Sequence, residues 1–118
     1  GPASLERAER LARTLRAWGR QVRYLVPSTD PAHPEFEPQR YWCGPVWAVV
    51  NHLVATGFRE YGHLALAERL RQDTRELAEV SGFSEYYHPV SGAGLGGGNF
   101  SWTAATWLDW AAEGADGG

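Results

Sequence analysis

Residues 45–61 read PVWAVVNHLVATGFREY, a run long enough for several helical turns. Pro45 suits the first turn of a helix, because proline lacks the N–H that a first-turn residue leaves unpaired. Apolar side chains surround most of the circumference of this helix: Val46, Trp47, Val49, Val50, Leu53, Val54, Ala55 and Phe58. A helix that is apolar on nearly all sides is buried between other elements. The stretch therefore predicts a helix over 45–61 that other helices enclose.

The helices predicted on either side of this stretch have only one apolar face. The first covers residues 3–17, where leucine and alanine fall on one side and arginine on the other. The next covers residues 64–80, and its charged side is expected to face water. That side carries two pairs of opposite charge four residues apart, Arg69–Asp73 and Arg75–Glu79. Both helices are therefore expected to lie on the outside of the fold.

A fourth helix is predicted from a Ser101 cap through residues 102–111, and it is again mostly apolar all round. The four helices thus alternate between half-exposed and buried. An ordinary four-helix bundle exposes one face of every helix, so two enclosed helices require an inner layer. The predicted fold class is all-α, with about four helices that form two hairpins of an incomplete ring. Outer helices face solvent, and inner helices line the interior.

Composition limits the classes of function. The net charge is -3 at pH 7, and the eleven basic residues, all arginine, alternate with glutamate along the predicted helices. This pattern is typical of solvated, salt-bridged faces and not of a nucleic-acid-binding surface. The single Cys43 excludes an internal disulfide and favours a reducing compartment. We find no secretory leader pattern and no apolar run of about 18 residues, so a cytoplasmic protein without membrane association is expected.

Two long loops lead into the buried helices, over residues 20–43 and 82–99. Each follows an outer helix and precedes an inner one, so both are expected at the same end of the ring. Trp42 and Trp47 flank the entry to the first buried helix. Sugar rings present apolar C–H faces that stack on aromatic planes, so paired tryptophans at a cavity mouth suit a carbohydrate. Core packing is the competing interpretation.

One carboxylate stands apart from the helical charge patterns. Glu85 lies in the second loop between Phe83 and the pair Tyr86–Tyr87. Partial desolvation by aromatic neighbours favours the protonated form of a carboxylate, which suits it to proton exchange near neutrality. The alternative is a solvated loop glutamate. His88, three residues on, is interpreted as a loop histidine or a hydrogen-bonding partner.

Neither a metal site nor a phosphate-binding loop is expected. His33, His52 and His63 lie far apart in sequence, with no partner four residues away and no cysteine pair. The glycine-rich segment 92–98 lacks the Lys-Ser/Thr ending of a P-loop, and no strand pattern precedes it. We interpret this segment as a turn packed tightly under the Glu85 loop, or as a mobile flap. No cofactor is predicted.

Four short motifs occur in a fixed order along the chain. They are Val26-Pro27-Ser28-Thr29-Asp30-Pro31, the run from Tyr41 to Trp47, the run from Glu85 to Pro89, and Gly94-Leu95-Gly96-Gly97 followed by Phe100-Ser101-Trp102-Thr103-Ala104. Together they resemble glycoside hydrolase family 63, and within it the mannosylglycerate and glucosylglycerate hydrolases. The resemblance covers nearly all of the chain beyond the first helix. Cys43 departs from it, since arginine is common at that position.

The resemblance implies a fold and a set of site residues. The fold would be an (α/α)6 toroid, with residues 1–118 as the C-terminal part of its catalytic domain. Glu85 would be the general base of an inverting α-glycosidase that acts on a glycosylglycerate or another small α-glucoside. The residues implied in substrate binding are Tyr41, Trp42, Trp47, Tyr86 and Tyr87. The aspartate that serves as general acid in the family has no counterpart in residues 1–40.

Four helices are a third of such a ring, so we expect the chain to be incomplete as an enzyme. It would be an excised fragment, a truncated product or one part of a split protein, inactive alone. Its expected partners are a small carbohydrate and either the remainder of the barrel or a second copy bound through the apolar inner helices. The alternative function is a non-catalytic, self-associating helical module that retains weak carbohydrate binding through Trp42 and Trp47. A purely structural helical domain would leave the four motifs unexplained.

Overall fold

The computed structural model of the chain describes residues 2–40 and 43–96. Within these ranges lie three helices: α1 (Pro2–Trp18), α2 (Ala48–Glu60) and α3 (Leu64–Ser81). They also contain three strands of two residues each: β1 (Val46–Trp47), β2 (Tyr86–Tyr87) and β3 (Gly94–Leu95). The fold is therefore mainly helical, as predicted. The predicted fourth helix, over 101–111, lies outside the described residues.

The helix bounds agree with the sequence pattern except at the start of α2. The helix begins at Ala48 and not at Pro45, because Val46 and Trp47 form β1. Trp47 has the extended backbone of a strand, with φ -108° and ψ 121°. Pairing with the second loop therefore overrides the helical pattern at these two residues. The strands were not predicted.

The side of α2 that was expected to be enclosed is partly open in the described chain. Leu53 is 67% exposed, whereas Asn51, Ala55 and Phe58 are buried. The prediction that α2 is buried on nearly all sides is therefore wrong within the described part of the chain. An apolar side chain this open is what an inner helix shows when the neighbouring helices of a ring are not there to cover it.

Two hydrophobic clusters hold the helices and strands together. The larger joins one face of α1 to the α2–α3 hairpin and to the loop after α1, through Ala12, Leu15, Val22, Leu25, Ala55, Phe58, Leu66, Ala67 and Leu70. The smaller lies where the strands meet α3 and consists of Tyr24, Val46, Ala48, Leu77 and Tyr87. The smaller cluster thus places the strands at one end of the hairpin.

A buried asparagine on α2 fixes the first loop to the helical hairpin. Asn51 is fully buried, and its Oδ1 accepts a hydrogen bond from the N–H of Val26 at 2.9 Å. Its Nδ2 donates to the carbonyl of Leu25 at 2.7 Å and to Oγ1 of Thr74 on α3 at 2.8 Å. The side chain therefore pairs with both sides of the Leu25–Val26 peptide bond, which is cis.

A buried aspartate on α3 holds the same point of the loop from the other side. Asp73 was expected to face water, but it is only 6% exposed. Its Oδ2 accepts hydrogen bonds from the N–H of Leu25 at 2.8 Å and from Nε of Arg69 at 3.1 Å. Burial raises the pKa of Asp73, although the Leu25 N–H and the Arg69 charge favour the ionised form. The predicted Arg69–Asp73 pair is therefore present, but it points inward.

The outer side of α3 remains charged. Arg75 and Glu79 form the predicted pair at 3.0 Å, and both side chains are more than half exposed. Arg71 pairs with Glu68 at 2.8 Å, and hydrogen bonding from Arg71 lowers the pKa of Glu68 to about 2. Exposed pairs of this kind add little to stability. Of the helices within the described ranges, none is long and apolar enough to cross a lipid bilayer.

Candidate functional site

The two long loops meet in a small antiparallel sheet of order β1-β2-β3. Trp47 lies opposite Tyr86, and Val46 lies opposite Tyr87. Tyr86 in turn lies opposite Leu95. Successive side chains of a strand point to opposite faces, so Trp47 and Tyr86 share the face that does not enter the smaller hydrophobic cluster. The expectation that both loops lie at the same end of the fold is confirmed.

The first loop positions β1 through its own backbone. The N–H of Ser28 donates to the carbonyl of Pro45 at 3.1 Å, and Oγ of Ser28 accepts from the N–H of Gly44 at 3.1 Å. Pro27 forms an isolated bridge with Val46. A side chain at Gly44 would collide with the carbonyl of Glu37, so only glycine fits the close approach predicted there. Two of the four sequence motifs are therefore in direct contact.

Trp47 and Tyr86 form a stacked aromatic pair. Their ring centroids are 4.6 Å apart, and the ring planes are inclined by 24°. Trp47 is only 5% exposed, whereas Tyr86 is partly exposed. Offset stacking of this kind contributes about 0.5–1.5 kcal/mol beyond the buried area. The buried ring of Trp47 therefore packs on one face of the Tyr86 ring, and Tyr86 is the more exposed of the two.

Glu85 lies beside this pair and against the glycine-rich segment. It is partly exposed, and a side chain placed at Gly96 would come within 3.2 Å of its Oε2 and 2.8 Å of the Tyr86 ring. Gly96 also has φ +76°, which favours glycine. The interpretation of this segment as a tightly packed turn is confirmed for residues 92–96. Gly97 and Gly98 lie outside the described residues.

Tyr87, predicted as a substrate-binding residue, is fully buried. Its hydroxyl donates a hydrogen bond to the carbonyl of Gly82 at 2.6 Å and accepts one from the N–H of Ser84 at 3.0 Å. Burial raises the pKa of Tyr87, and the bond from Ser84 opposes this rise. Its ring belongs to the core, and its hydroxyl is used within the loop, because residue alternation along β2 turns it away from Tyr86. It therefore offers no surface to a ligand here.

His88 stabilises the turn between β2 and β3. Its Nδ1 accepts hydrogen bonds from the N–H groups of Val90 and Ser91, both at 3.1 Å. The backbone N–H of His88 donates to the carbonyl of Ala93 at 3.0 Å. Of the two interpretations of His88, the hydrogen-bonding partner is the one that the structure shows. Ser81 adds a bond from its Oγ to the carbonyl of Gly92 at 2.6 Å, so the turn is tied to the end of α3.

The structure brings together three of the predicted site residues, Glu85, Tyr86 and Trp47. Tyr41 and Trp42 lie outside the described residues. In the described ranges, no three His, Cys, Asp or Glu side chains are grouped so that they could hold a metal ion. A carboxylate beside an open aromatic ring can accept a proton from water while the ring stacks on an apolar ligand face.

Sequence reasoning missed Asn51 and the inward position of Asp73. The signal for Asn51 was present, since it is a lone amide within the otherwise apolar stretch that opens α2. A buried amide must be hydrogen-bonded, so it predicts a polar partner from elsewhere in the chain. No comparable signal distinguished Asp73 from the exposed acidic residues of α3.

Comparison with known proteins first gives the class, a glycoside hydrolase of helical fold. The structure superposes with a TM-score of 0.88 and 54% sequence identity on a GH63 mannosylglycerate hydrolase from Thermus thermophilus, solved in complex with Tris and D-glycerate. The match covers 91% of this chain and 26% of that one. The family model described as the mannosylglycerate hydrolase MGH1-like glycoside hydrolase domain matches residues 1–103. This chain belongs to that family.

The curated relatives agree with this assignment. The chain is 56% identical over 104 residues to a mannosylglycerate hydrolase from another strain of Thermus thermophilus, a match that covers 88% of this chain and 25% of the relative. It is 44% identical over 86 residues to a glucosylglycerate hydrolase of Mycolicibacterium hassiacum, covering 73% of this chain and 19% of the relative. The chain thus spans about a quarter or less of the length of the curated relatives that it matches. The prediction of a family 63 fragment is confirmed.

Proposed function

We propose that this chain is a segment of an inverting α-glycosidase for mannosylglycerate, glucosylglycerate or a similar small α-glycoside, and that Glu85 is its general base. The observation that carries the proposal is the position of Glu85 beside the stacked Trp47–Tyr86 pair, where both motif-bearing loops meet. The relatives support the substrate class, because they are hydrolases of mannosylglycerate and glucosylglycerate.

The chemistry assigned to this segment is the activation of water. The ionised Glu85 accepts a proton from a water molecule, whose oxygen attacks the anomeric carbon on the face opposite to the leaving oxygen. The bond to the leaving oxygen breaks, and that oxygen takes a proton from a second carboxylic acid. In inverting enzymes the two carboxyl groups stand about 6.5–9.5 Å apart, which leaves room for the water. The second group is supplied by the remainder of the barrel.

The aromatic residues hold the sugar beside the base. Tyr86 presents the more open ring of the stacked pair and can contact the apolar face of a sugar, while Trp47 fixes its orientation. Tyr41 and Trp42 are proposed to complete the pocket on the strength of the family resemblance. Tyr87 does not belong to this contact surface, since it is fully buried.

A second candidate function is a non-catalytic module that associates with other copies of itself. The exposure of large apolar side chains favours this candidate, since Leu53 is 67% and Leu64 63% exposed. Apolar patches on stable monomers are usually small, so an open face of this kind tends to find a partner. In the enzyme fragment, the open side of α2 at Leu53 contacts the remainder of the ring.

The test is a hybrid enzyme in which this chain replaces the matching quarter of the Thermus thermophilus mannosylglycerate hydrolase. We expect the hybrid to release mannose from mannosylglycerate. Glu85→Gln should then lower kcat by about 10²–10⁴-fold with KM little changed, because the amide cannot accept the proton of water.

Glu79→Gln is the matched control. It lies six residues earlier, and its side chain is 55% exposed and paired with Arg75 on the outer side of α3. The control should keep the activity of the unmodified hybrid. If Glu85→Gln and Glu79→Gln retain comparable activity, the base lies elsewhere and the assignment to this loop is wrong. A hybrid that folds but binds carbohydrate without turnover would favour the non-catalytic module.

A further inference from the structure

The Tyr87 hydroxyl closes the loop that carries Glu85. It bridges the carbonyl of Gly82, at 2.6 Å, and the N–H of Ser84, at 3.0 Å. Ser84 is 7% exposed, and its side chain packs against Gly94 of β3 so closely that a side chain at Gly94 would collide with Ser84 Oγ. The residue before Glu85 is thus held from two directions.

The residue after Glu85 is held as well. Tyr86 is paired with Trp47 across the sheet and stacked on its ring. Glu85 therefore has an anchored neighbour on each side. On its N-terminal side the N–H of Ser84 donates to the Tyr87 hydroxyl at 3.0 Å and to the carbonyl of Gly82 at 3.1 Å, and the Tyr87 hydroxyl ties both of these groups to the core. The direction in which the carboxylate leaves the backbone depends on both anchors.

We infer that Tyr87 is a positioning residue for the reaction, whose hydroxyl fixes the Glu85 loop and so sets the place of the carboxylate. The inference rests on the proposed role of Glu85 as general base. Packing alone does not require the hydroxyl, because a phenylalanine ring would fill the same fully buried site. A buried hydroxyl is costly unless it is hydrogen-bonded, and here it makes two bonds, both to the backbone of the loop.

Tyr24 provides the matched comparison within the same hydrophobic cluster. Its ring is 5% exposed and packs against Gly92, so it is about as buried as the ring of Tyr87. Its contact with the turn after β2 is made by its backbone N–H, which donates to the carbonyl of Pro89 at 2.8 Å. Loss of either hydroxyl removes one oxygen from the cluster, but it is the Tyr87 hydroxyl that hydrogen-bonds Gly82 and Ser84, directly before Glu85.

The experiment compares Tyr87→Phe, Tyr24→Phe and Glu85→Gln in the hybrid enzyme defined above. We expect Tyr87→Phe to lower kcat between about tenfold and a hundredfold, since misplacement of a reacting group by about 1 Å has effects of this size. KM should change by less than about twofold, because the substrate-facing rings are kept. Tyr24→Phe should leave both constants near their original values.

A kcat for Tyr87→Phe that equals that of Tyr24→Phe would overturn the inference, as would a loss that appears in KM alone. If Glu85→Gln stays active, the proposed base is wrong and the inference fails with it. If Glu85→Gln is inactive while Tyr87→Phe is fully active, only the inference fails.

A second measurement covers the case in which Tyr87→Phe does not fold. In the unmodified 118-residue chain, amide hydrogen exchange should show the N–H of Ser84 protected to the same degree as the N–H groups of β2. Exchange of the Ser84 amide at the rate of an exposed loop would show that the Tyr87 hydroxyl does not hold the loop, and would contradict the inference directly.

Discussion

Replacing Asn51 by alanine removes the amide that ties the first loop to both helices of the α2–α3 hairpin. The change leaves the N–H of Val26 and the carbonyl of Leu25 without the partners that Asn51 supplies at 2.9 and 2.7 Å. A buried backbone group without a partner costs about 1–3 kcal/mol, so two such groups cost about 2–6 kcal/mol. Thr74 loses less, because its hydroxyl still donates to the carbonyl of Leu70 at 2.8 Å.

We therefore expect Asn51→Ala to lower the free energy of unfolding by about 4 kcal/mol. This is a large share of the stability of a domain of this size, about 5–15 kcal/mol. The assay is urea unfolding of the 118-residue chain followed by far-ultraviolet circular dichroism. Many molecules of the variant should be unfolded already in dilute urea.

Two controls on the same hairpin calibrate the result. Thr74→Val removes one of the three bonds to Asn51 and should cost about 1 kcal/mol. Glu79→Gln changes a side chain on α3 that is 55% exposed and should stay within about 0.5 kcal/mol. A cost for Asn51→Ala below about 1 kcal/mol, no larger than that of Thr74→Val, would refute the claim that this amide holds the loop in place.

Three further outcomes are expected. The isolated chain should release no sugar from mannosylglycerate or glucosylglycerate above a Glu85→Gln control, as measured by chromatography. Loss of the acid partner alone lowers the rate by about 10²–10⁴-fold. Turnover that vanishes in the control would show that the acid lies within the chain or its oligomer. Light scattering over a dilution series should show a dimer or larger species, since the inner helix α2 exposes Leu53 to 67%, and a compact monomer at every concentration would contradict association through the inner helices. Because the pKa of Asp73 is raised in the folded state, its contribution to stability is present below the unfolded pKa and is lost as pH rises through the folded pKa. The free energy of unfolding should therefore improve relative to Asp73→Asn as pH falls from about 7 towards 4, and urea titrations that show no trend, or the opposite one, would contradict the raised pKa of this carboxylate.

The helical part of the fold was predictable because its signals are local. Apolar periodicity and the turn residues placed α1 and α3 within one or two residues of their observed bounds. The order of outer and inner helices also implied that the two long loops share one end of the fold, and the strand pairing confirms this. Gly44 signalled a close backbone approach, and a side chain there would collide with the carbonyl of Glu37.

The strands and the buried polar residues were not predictable, because they depend on contacts between distant parts of the sequence. Val46 and Trp47 continue the apolar pattern of α2, and only their pairing with β2 makes them extended. Asp73 looks like one half of an exposed pair with Arg69 until the N–H of Leu25 reaches it. At the candidate site, the motif singled out Glu85 and its neighbours, whose role stays a prediction. It could not distinguish Tyr86, which faces outward, from Tyr87, which does not.

The register of the small sheet determines where the length of this chain can change. A strand alternates its side chains, so one residue inserted between Gly44 and Ala48 would exchange the directions of Val46 and Trp47. The tryptophan would then take the place of Val46 in the smaller hydrophobic cluster, and the stack on Tyr86 would be lost. The turns within residues 30–36 carry no such constraint, because most of their side chains are exposed and their hydrogen bonds run within the segment. Evolution or design can therefore lengthen this part of the proline-rich loop, but must keep the spacing from Glu37 to Ala48.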